Sequence, residues 1–123
     1  MKNKRIEIYV DGGARGNPGP AGVGVLILDG AGKKIKDVSK YIGEATNNIA
    51  EYSALVRALE EAELLSVSEI VIHTDSELMA KQLSGEYKVK NADISKELKL
   101  IYETFQKTKS ILNLRLIKKI WRI

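Results

Sequence analysis

Several residue types that build common functional sites are absent or rare in this sequence. Its 123 residues contain no cysteine, which excludes a disulfide framework and a zinc site made of thiolates. The single histidine, His73, excludes a cluster of histidine metal ligands and disfavours a Ser-His-Asp triad. No apolar run reaches the roughly 18 residues that span a bilayer, and no apolar signal segment opens the sequence. We therefore expect a soluble, cytoplasmic protein with no membrane partner.

The composition is that of an ordinary globular domain. Hydrophobic residues make up 44% and charged residues 29% of the sequence, so the apolar content is too high for a disordered chain. The length suits one domain better than two. We expect a single domain over residues 1–123.

Charge is distributed unevenly along the sequence. Residues 1–43 carry a net charge of +4, residues 44–80 carry −7 and residues 81–123 carry +7. A basic flank favours a polyanionic partner such as nucleic acid, through release of counterions. The alternative is a solvated helix face followed by a basic end segment.

The first third of the sequence predicts three strands joined by short connections. Residues 5–11 alternate apolar and polar side chains, as a half-buried strand does. Residues 12–24 are rich in glycine and hold both prolines, which predicts a turn-rich connection. Residues 23–28 and 33–42 then read as a hairpin around Asp29–Gly32. The apolar phase of the third strand slips once, which indicates a bulge.

Helices and strands alternate in the rest of the sequence. Thr46 and the two asparagines after it supply cap chemistry for an amphipathic helix over residues 48–65. Residues 69–75 are apolar in their middle, as a strand at the centre of a sheet is. The later predicted elements are a short helix through Leu78–Leu83, a helix over residues 93–108 and a strand over residues 111–117. The order βββαβααβ indicates an α/β fold with a five-stranded mixed sheet and helices packed on it.

Three acidic residues fall where α/β folds form ligand sites. Asp11 ends the first strand and Asp75 ends the fourth, so both lie at one edge if these strands are parallel neighbours. Glu51, in the first turn of the long helix, joins them if that helix begins over the same edge. Three close carboxylates repel one another unless a cation neutralises them, and oxygen ligands favour magnesium or manganese. The ordinary alternatives are a turn residue for Asp11, a dipole partner for Glu51 and a helix cap for Asp75.

Asparagines and glycines surround these carboxylates in the sequence. Loop asparagines usually form turns, but their amides also hydrogen-bond the 2′-hydroxyl that separates RNA from DNA. Glycine-rich residues 12–19 let a backbone approach a sugar or phosphate closely, although they lack the spacing of a nucleotide-binding P-loop. The asparagines concerned are Asn17, Asn47, Asn48 and Asn91.

The combined motifs resemble type 1 ribonuclease H over essentially the whole chain. The matching segments are YVDGGARGNPGPAGVGVLI, ATNNIAEYSALVRALE and IVIHTDSELMAKQLSGEYKVKN, in the family's order and spacing. The resemblance implies hydrolysis of the RNA strand of an RNA–DNA hybrid, leaving 3′-hydroxyl and 5′-phosphate ends. It implies four acidic residues, two Mg²⁺ ions with Mn²⁺ as a substitute, and no small-molecule cofactor. It also implies the ribonuclease H-like fold, with helices on both faces of the sheet.

The resemblance assigns roles to individual residues. Asp11, Glu51 and Asp75 match three of the metal-binding acids, and Asp11 would bridge both ions. Asn17, Asn47 and Asn48, with the neighbouring Gly12 and Gly13, match positions that contact the hybrid, largely through the RNA sugars. Thr46 and Asn91 match positions that hold a phosphate of the DNA strand.

The sequence departs from the family pattern in three places. Glu44 stands where the family has an arginine in the phosphate pocket, which implies a weaker grip on the DNA strand. Only residues 85–88 separate the short helix from the VKN segment, so the basic handle of some members is absent. No acidic residue follows Glu103, so the fourth carboxylate, the loop histidine and the final helix have no counterpart, and Asn113 or Asn91 is the remaining neutral candidate ligand.

Three functions remain open on the sequence. The first is a metal-dependent hybrid ribonuclease with weakened activity, and the second is a catalytically impaired module that binds RNA–DNA hybrids. The third is a DNA-directed nuclease or integrase with the same fold, which the TNN and VKN segments disfavour because they match residues that read sugar and phosphate. The basic end segment around Trp121 either lies along nucleic acid or is an ordinary terminus.

Overall fold

The computed structural model describes residues 5–65 and 67–76, together with the backbone of residues 111–116. The predicted helices over residues 78–83 and 93–108 lie outside the described residues, as does the expectation of helices on both sheet faces. Within the described part, one helix packs on one face of a five-stranded sheet.

The sheet is mixed, as the sequence predicts. Its spatial order is β3-β2-β1-β4-β5, with β1 antiparallel to β2, β2 antiparallel to β3, and β1–β4 and β4–β5 parallel. Strands 1 and 4 are therefore parallel neighbours, which is the condition for Asp11 and Asp75 to share an edge. The strands are β1 (Arg5–Ala14), β2 (Gly19–Asp29), β3 (Lys34–Ala45), β4 (Glu69–Thr74) and β5 (Ile111–Leu116).

Helix α1 (Asn47–Glu63) begins where cap chemistry predicts. The Thr46 hydroxyl accepts a hydrogen bond from the Ile49 amide at 3.2 Å, which satisfies one of the otherwise unpaired amides of the first turn. The helix buries its apolar face against β1 and β2, and burial of apolar surface is the main stabilising contribution to such a fold. The largest fully buried side chains are Tyr52, Ile6, Ile8, Ile27, Leu55, Ile72, Val10 and Val25.

The predicted turn-rich connection over residues 12–24 is mostly wrong. Strand β1 continues to Ala14 and β2 begins at Gly19, so the turn is confined to residues 15–18. The glycines pair across the two strands, for example Gly13 with Gly22, because an antiparallel ladder uses only backbone groups. Gly19 is required by close approach, since a Cβ there would stand 1.6 Å from the Arg15 carbonyl oxygen.

The β2–β3 hairpin confirms the turn and the bulge that the sequence predicts. Asp29 Oδ1 accepts hydrogen bonds from the backbone amides of Ala31 and Lys33, both at 2.9 Å, which closes the turn. The pairing register of β2 with β3 shifts twice, between Ala21 and Gly22 and between Ile27 and Leu28. Strand β3 runs to Ala45, three residues beyond the predicted end, and so leads directly into Thr46.

A buried carboxylate ties the edge strand β3 to α1. Glu61 is 7% exposed, and its Oε2 lies 2.6 Å from Lys36 Nζ while its Oε1 lies 3.2 Å from Arg57 Nε. The hydrogen bond from Lys36 lowers the pKa of Glu61 below 4.5; burial opposes this, and the charges of Lys36 and Arg57 add to it. The ionised form is therefore the one that the folded protein favours.

Glu61→Gln is expected to lower the free energy of unfolding by about 1–2 kcal/mol at neutral pH, because a charge-assisted hydrogen bond is lost. The contribution of Glu61 is complete above its ordinary pKa of 4.5 and is lost as pH falls through the lower folded value. Urea unfolding of both proteins should thus show a difference that shrinks below pH 4.5. Glu60→Gln, at an exposed neighbouring position, is the control. A difference equally large in strong acid would contradict the ionic explanation.

Candidate functional site

Two of the predicted carboxylates lie at the same edge of the sheet. The parallel register pairs Tyr9 of β1 with His73 of β4, and Asp11 and Asp75 lie two residues further along their chains. Asp11 is half-buried within β1, whereas Asp75 directly follows β4 and is exposed. The predicted shared edge is confirmed, but the prediction that Asp11 ends the first strand is wrong, because pairing with β2 continues β1 to Ala14.

Gly12 brings Glu51 to the same edge. A Cβ on Gly12 would stand 2.2 Å from the carbonyl oxygen of Ala50 and 2.6 Å from the amide nitrogen of Glu51. The backbone of α1 therefore rests directly on β1 at the residue after Asp11. No side chain larger than hydrogen fits there, so the approach of the helix depends on this glycine.

Glu51 begins the second turn of α1, one residue further from the start of the helix than the sequence predicts. Asn47 is the first residue of α1, so Glu51 is the fifth, and no acidic residue occupies the first turn. The helix dipole acts mainly within that first turn. A favourable interaction with the helix dipole therefore explains less well why Glu51 is acidic. Its position near two other carboxylates remains to be explained.

The charges of the three carboxylates interact. Burial raises the pKa of Glu51 above its ordinary value, and the negative charges of Asp75 and Asp11 raise it further. A hydrogen bond from the Ser76 hydroxyl opposes both effects by stabilising the ionised carboxylate. The edge is therefore a concentration of negative charge that a cation would relieve.

Ser76 is a site residue that the sequence analysis missed. It is 7% exposed and its backbone amide donates to the Thr74 hydroxyl at 3.0 Å, which fixes the chain around Asp75. Its hydroxyl donates to the Glu51 carboxylate and so links β4 to α1. Its position directly after the predicted Asp75 was the only signal in the sequence.

The donor set at this edge suits a hard divalent cation. Carboxylate oxygens are the ligands that magnesium and manganese prefer, and the mutual repulsion described above is what a bound cation would offset. Among residues 5–65 and 67–76, no three acidic or histidine side chains form a closed ligand set. The carboxylates are thus close enough to interact by charge, and their side chains would have to turn inward to share an ion.

Two predicted asparagines connect the β1–β2 turn to the start of α1. Asn17 Oδ1 accepts a hydrogen bond from the Asn47 backbone amide at 3.0 Å. Asn47 Oδ1 in turn accepts from the Ala14 backbone amide at 2.7 Å. Because both side-chain oxygens bind backbone amides, each side chain presents its NH₂ group outward as a donor. Both residues are exposed beside the carboxylate edge.

The other predicted substrate-binding residues differ in what the structure shows. Gly13 is exposed, and a Cβ there would meet only Asn47 Oδ1, at 3.9 Å. Thr46 uses its hydroxyl to cap α1, and Asn48 is half-buried. Asn91 lies outside the described residues, so its predicted phosphate contact stays a prediction.

His73 packs within the sheet. It is 4% exposed, its Nε2 lies 3.0 Å from Glu7 Oε1, and its ring stacks on Tyr9 with centroids 4.3 Å apart. This burial leaves it unsuited to contact a polymeric substrate. Its stack with Tyr9 instead joins β1 to β4 two residues before the acidic edge.

The fold and the edge together define a class of protein. Asp11 within one strand and Asp75 directly after the parallel neighbouring strand share an edge of the mixed sheet, and Glu51 of the helix interacts with both by charge. This is an arrangement for metal-assisted chemistry on a polar substrate. The family model for RNase H matches residues 3–121. The chain therefore belongs to the ribonuclease H family.

Curated relatives agree with this assignment. Ribonuclease HI of Halobacterium salinarum is 42% identical over 93 residues, which cover 76% of this chain and 47% of the relative. The bifunctional protein Rv2228c of Mycobacterium tuberculosis is 43% identical over 93 residues, which cover 75% of this chain and 26% of the relative. The chain thus matches about half or less of the length of these curated relatives.

Solved structures match over a larger share of their length. LC11-RNase H1 in complex with an RNA/DNA hybrid has a TM-score of 0.86 and 43% identity, covering 93% of this chain and 86% of that one. RNase H1 from the halophilic archaeon Halobacterium salinarum has a TM-score of 0.86 and 35% identity, covering 94% of this chain and 86% of that one.

The described part of the present chain contains no helix long and apolar enough to cross a membrane.

Proposed function

We propose that this chain hydrolyses the RNA strand of RNA–DNA hybrids with the help of divalent metal ions, leaving 5′-phosphate and 3′-hydroxyl ends. The observation that carries the proposal is the convergence of Asp11, Glu51 and Asp75 at one edge of the sheet, with interacting charges. Membership of the ribonuclease H family supports it, and the structural relative LC11-RNase H1 was solved with an RNA/DNA hybrid.

The three carboxylates would serve as the metal ligands. Asp11 would hold the ions from β1, Glu51 from α1 and Asp75 from the position directly after β4. When bound, Mg²⁺ or Mn²⁺ would lower the pKa of an attacking water and stabilise the charge of the leaving oxygen. Ser76 would hold the Glu51 carboxylate in position through its hydrogen bond.

Asn17 and Asn47, linked through their hydrogen bonds and here called the asparagine relay, would bind the sugar of the substrate. The NH₂ groups of Asn17 and Asn47 are oriented as donors, and a 2′-oxygen accepts hydrogen bonds. Gly13 leaves the neighbouring surface without a side chain, so that a sugar-phosphate backbone would approach the edge closely, while Gly12 lets α1 lie beside it. We assign Asn48 to the RNA strand as well, and we assign Thr46 and Asn91 to a phosphate of the DNA strand.

We also propose that residues 1–123 on their own cleave slowly. They contain three of the family's four carboxylates, and a missing charged ligand weakens the hold on one of two ions. A loss of ~4 kcal/mol of transition-state stabilisation corresponds to ~1000-fold in rate. Manganese, which coordinates nitrogen and oxygen ligands more tightly than magnesium, should then support the faster reaction.

The test is cleavage of a hybrid with labelled RNA, in magnesium and in manganese. Single-stranded RNA, duplex RNA and duplex DNA serve as parallel substrates. Cleavage confined to the hybrid, with 5′-phosphate ends, is the expected result. Binding of the hybrid without cleavage in either metal would replace the enzyme by a binding module, and cleavage of duplex DNA would point to a nuclease of different specificity.

Asn47→Asp separates the two roles of the relay. The new carboxylate still accepts from the Ala14 amide, so the fold should keep its melting temperature, but the outward NH₂ donor becomes an acceptor. We expect the dissociation constant for the hybrid to rise about tenfold, as for the loss of one hydrogen bond plus repulsion of phosphate. Fluorescence anisotropy without divalent ions measures this.

The matched control is Asn47→Ala. It removes both the outward donor and the acceptor for Ala14, so it should weaken hybrid binding and also lower the melting temperature. Equal hybrid affinity for the wild type and Asn47→Asp would show that the outward amide does not contact the substrate.

A further inference from the structure

A groove leads away from the acidic edge across the face of the sheet that α1 does not cover. It has a volume of about 750 Å³ and is formed by the ends of β1, β2 and β3. Asp11 lines one part of it, and Ser39 and Tyr41 of the edge strand line another. Asp11 alternates along β1 with Val10, which is buried under α1, so its side chain belongs to the opposite face.

Glycines form the floor of this groove. The ladder pairs Gly13 with Gly22 and Gly22 with Tyr41. Two residues along β1, and so on the same face, it pairs Asp11 with Gly24. Directly paired residues share a face, so no side chain stands on the sheet between Asp11 and Tyr41. We call this feature the glycine groove. Its flat floor admits a planar ring or a sugar against the backbone.

Tyr41 stands at the far side of the glycine groove with most of its ring in solvent. The residue is 66% exposed, whereas an aromatic residue on a strand usually packs on its cross-strand neighbour. Its cross-strand neighbour is Gly22, which has no side chain for the Tyr41 ring to pack against. An exposed aromatic ring beside a cleft is a platform on which an unpaired base stacks.

We propose that the glycine groove holds a single-stranded extension of the RNA strand, with one base stacked on Tyr41. The inference rests on the proposed function, because the strand that passes Asp11 is the one to be cleaved and the groove continues from that residue. Arg15, which also lines the groove, supplies a guanidinium for a phosphate of the extension. A hybrid with an RNA extension is therefore the preferred substrate over a blunt one.

The test compares binding of four hybrids by fluorescence anisotropy without divalent ions. One is blunt, two carry a single-stranded RNA extension at the 5′ or the 3′ end, and one carries a DNA extension. We expect one of the RNA extensions to tighten binding about tenfold, the effect of one base–aromatic stack. Equal affinities for all four would overturn the inference.

Three variants test whether the tighter binding of the extended hybrid depends on the groove. Tyr41→Ala should remove the advantage of the extended hybrid and leave blunt-hybrid binding unchanged, while Tyr41→Phe should retain the advantage. Gly22→Val should also remove it, because its side chain would fill the floor. An added Cβ there would meet only the Lys40 carbonyl oxygen at 3.4 Å, and the melting temperature of the variant checks that the fold also accepts the rest of the valine side chain. An advantage that persists in Tyr41→Ala would contradict the stack.

Failure of the proposed function is distinguishable from failure of this inference. A chain that binds no blunt hybrid would contradict the proposed function alone. The inference is then judged on a single-stranded RNA oligonucleotide, whose binding should fall about tenfold in Tyr41→Ala. Binding of that RNA to the same extent in both proteins, or to neither, would overturn it.

Discussion

Asp11→Asn is expected to reduce hybrid cleavage by about 1000-fold or more. The change removes the charge of one of the three proposed metal ligands, and ~4 kcal/mol of lost transition-state stabilisation gives a rate change of this size. The variant keeps nearly the same volume and keeps one side-chain oxygen. Single-turnover kinetics on a labelled hybrid, in magnesium and in manganese, measure the effect.

The same variant has an outcome that does not depend on turnover. Asp11 raises the pKa of Glu51 through its charge, so its neutralisation should bring that pKa closer to 4.5 and relieve repulsion in the metal-free protein. Manganese should raise the melting temperature of the wild type and have a much smaller effect on the variant. Hybrid affinity without divalent ions should be unchanged or higher. Retained cleavage, or equal stabilisation of both proteins by manganese, would remove Asp11 from the proposed metal site.

Gly12→Ala is expected to destabilise the fold by about 3 kcal/mol or more, at the upper end of the cost of overpacking. The new methyl group would lie 2.2 Å from the Ala50 carbonyl oxygen and 2.6 Å from the Glu51 amide nitrogen, and both of these are backbone atoms. Relief therefore requires α1 to move away from β1. Urea denaturation gives the stability change, and cleavage by the remaining folded fraction reports whether Glu51 still reaches the acidic edge.

Gly13→Ala is the matched control for Gly12→Ala. It adds the same methyl group one residue later, where the nearest heavy atom is Asn47 Oδ1 at 3.9 Å. The residue is exposed, so its stability should change by no more than about 0.5 kcal/mol. Equal destabilisation by both variants would show that loss of glycine flexibility, and not contact with α1, sets the cost.

The alternation of apolar side chains and the capping residues were sufficient to predict the strands and the helix that carry the site. Strict alternation at the start of the chain predicts β1, and the apolar run before Asp75 predicts β4 within one residue of its observed end. Cap chemistry at Thr46 predicts the start of α1 within two residues. These signals are local, because side-chain period and capping depend on neighbouring residues only. The shared edge of Asp11 and Asp75 then follows from the parallel pairing of their strands.

The glycine-rich stretch over residues 12–24 was the main error in predicting the fold from the sequence. A glycine-rich stretch reads as a turn because glycine favours turns, yet Gly12, Gly13 and Gly22 lie within paired strands. The role of each glycine is visible only in the folded structure. Gly12 contacts the backbone of α1, whereas Gly13 and Gly22 form the floor of an open groove. Such close approach depends on atoms distant in sequence, so no local pattern reports it.

By itself, the sequence determined the mixed α/β fold, the family resemblance, and the residue types of the acidic edge, because all three are encoded in residue order and spacing. Only the tertiary structure decided that Ser76 donates to Glu51, that the side-chain oxygens of Asn17 and Asn47 accept from backbone amides, and that Tyr41 lines a groove with a glycine floor. Each of these depends on which atoms of distant segments meet and in which direction they point. Hydrogen bonds and close contacts act over a few ångströms, so the packing of α1 and the register of the strands settle them.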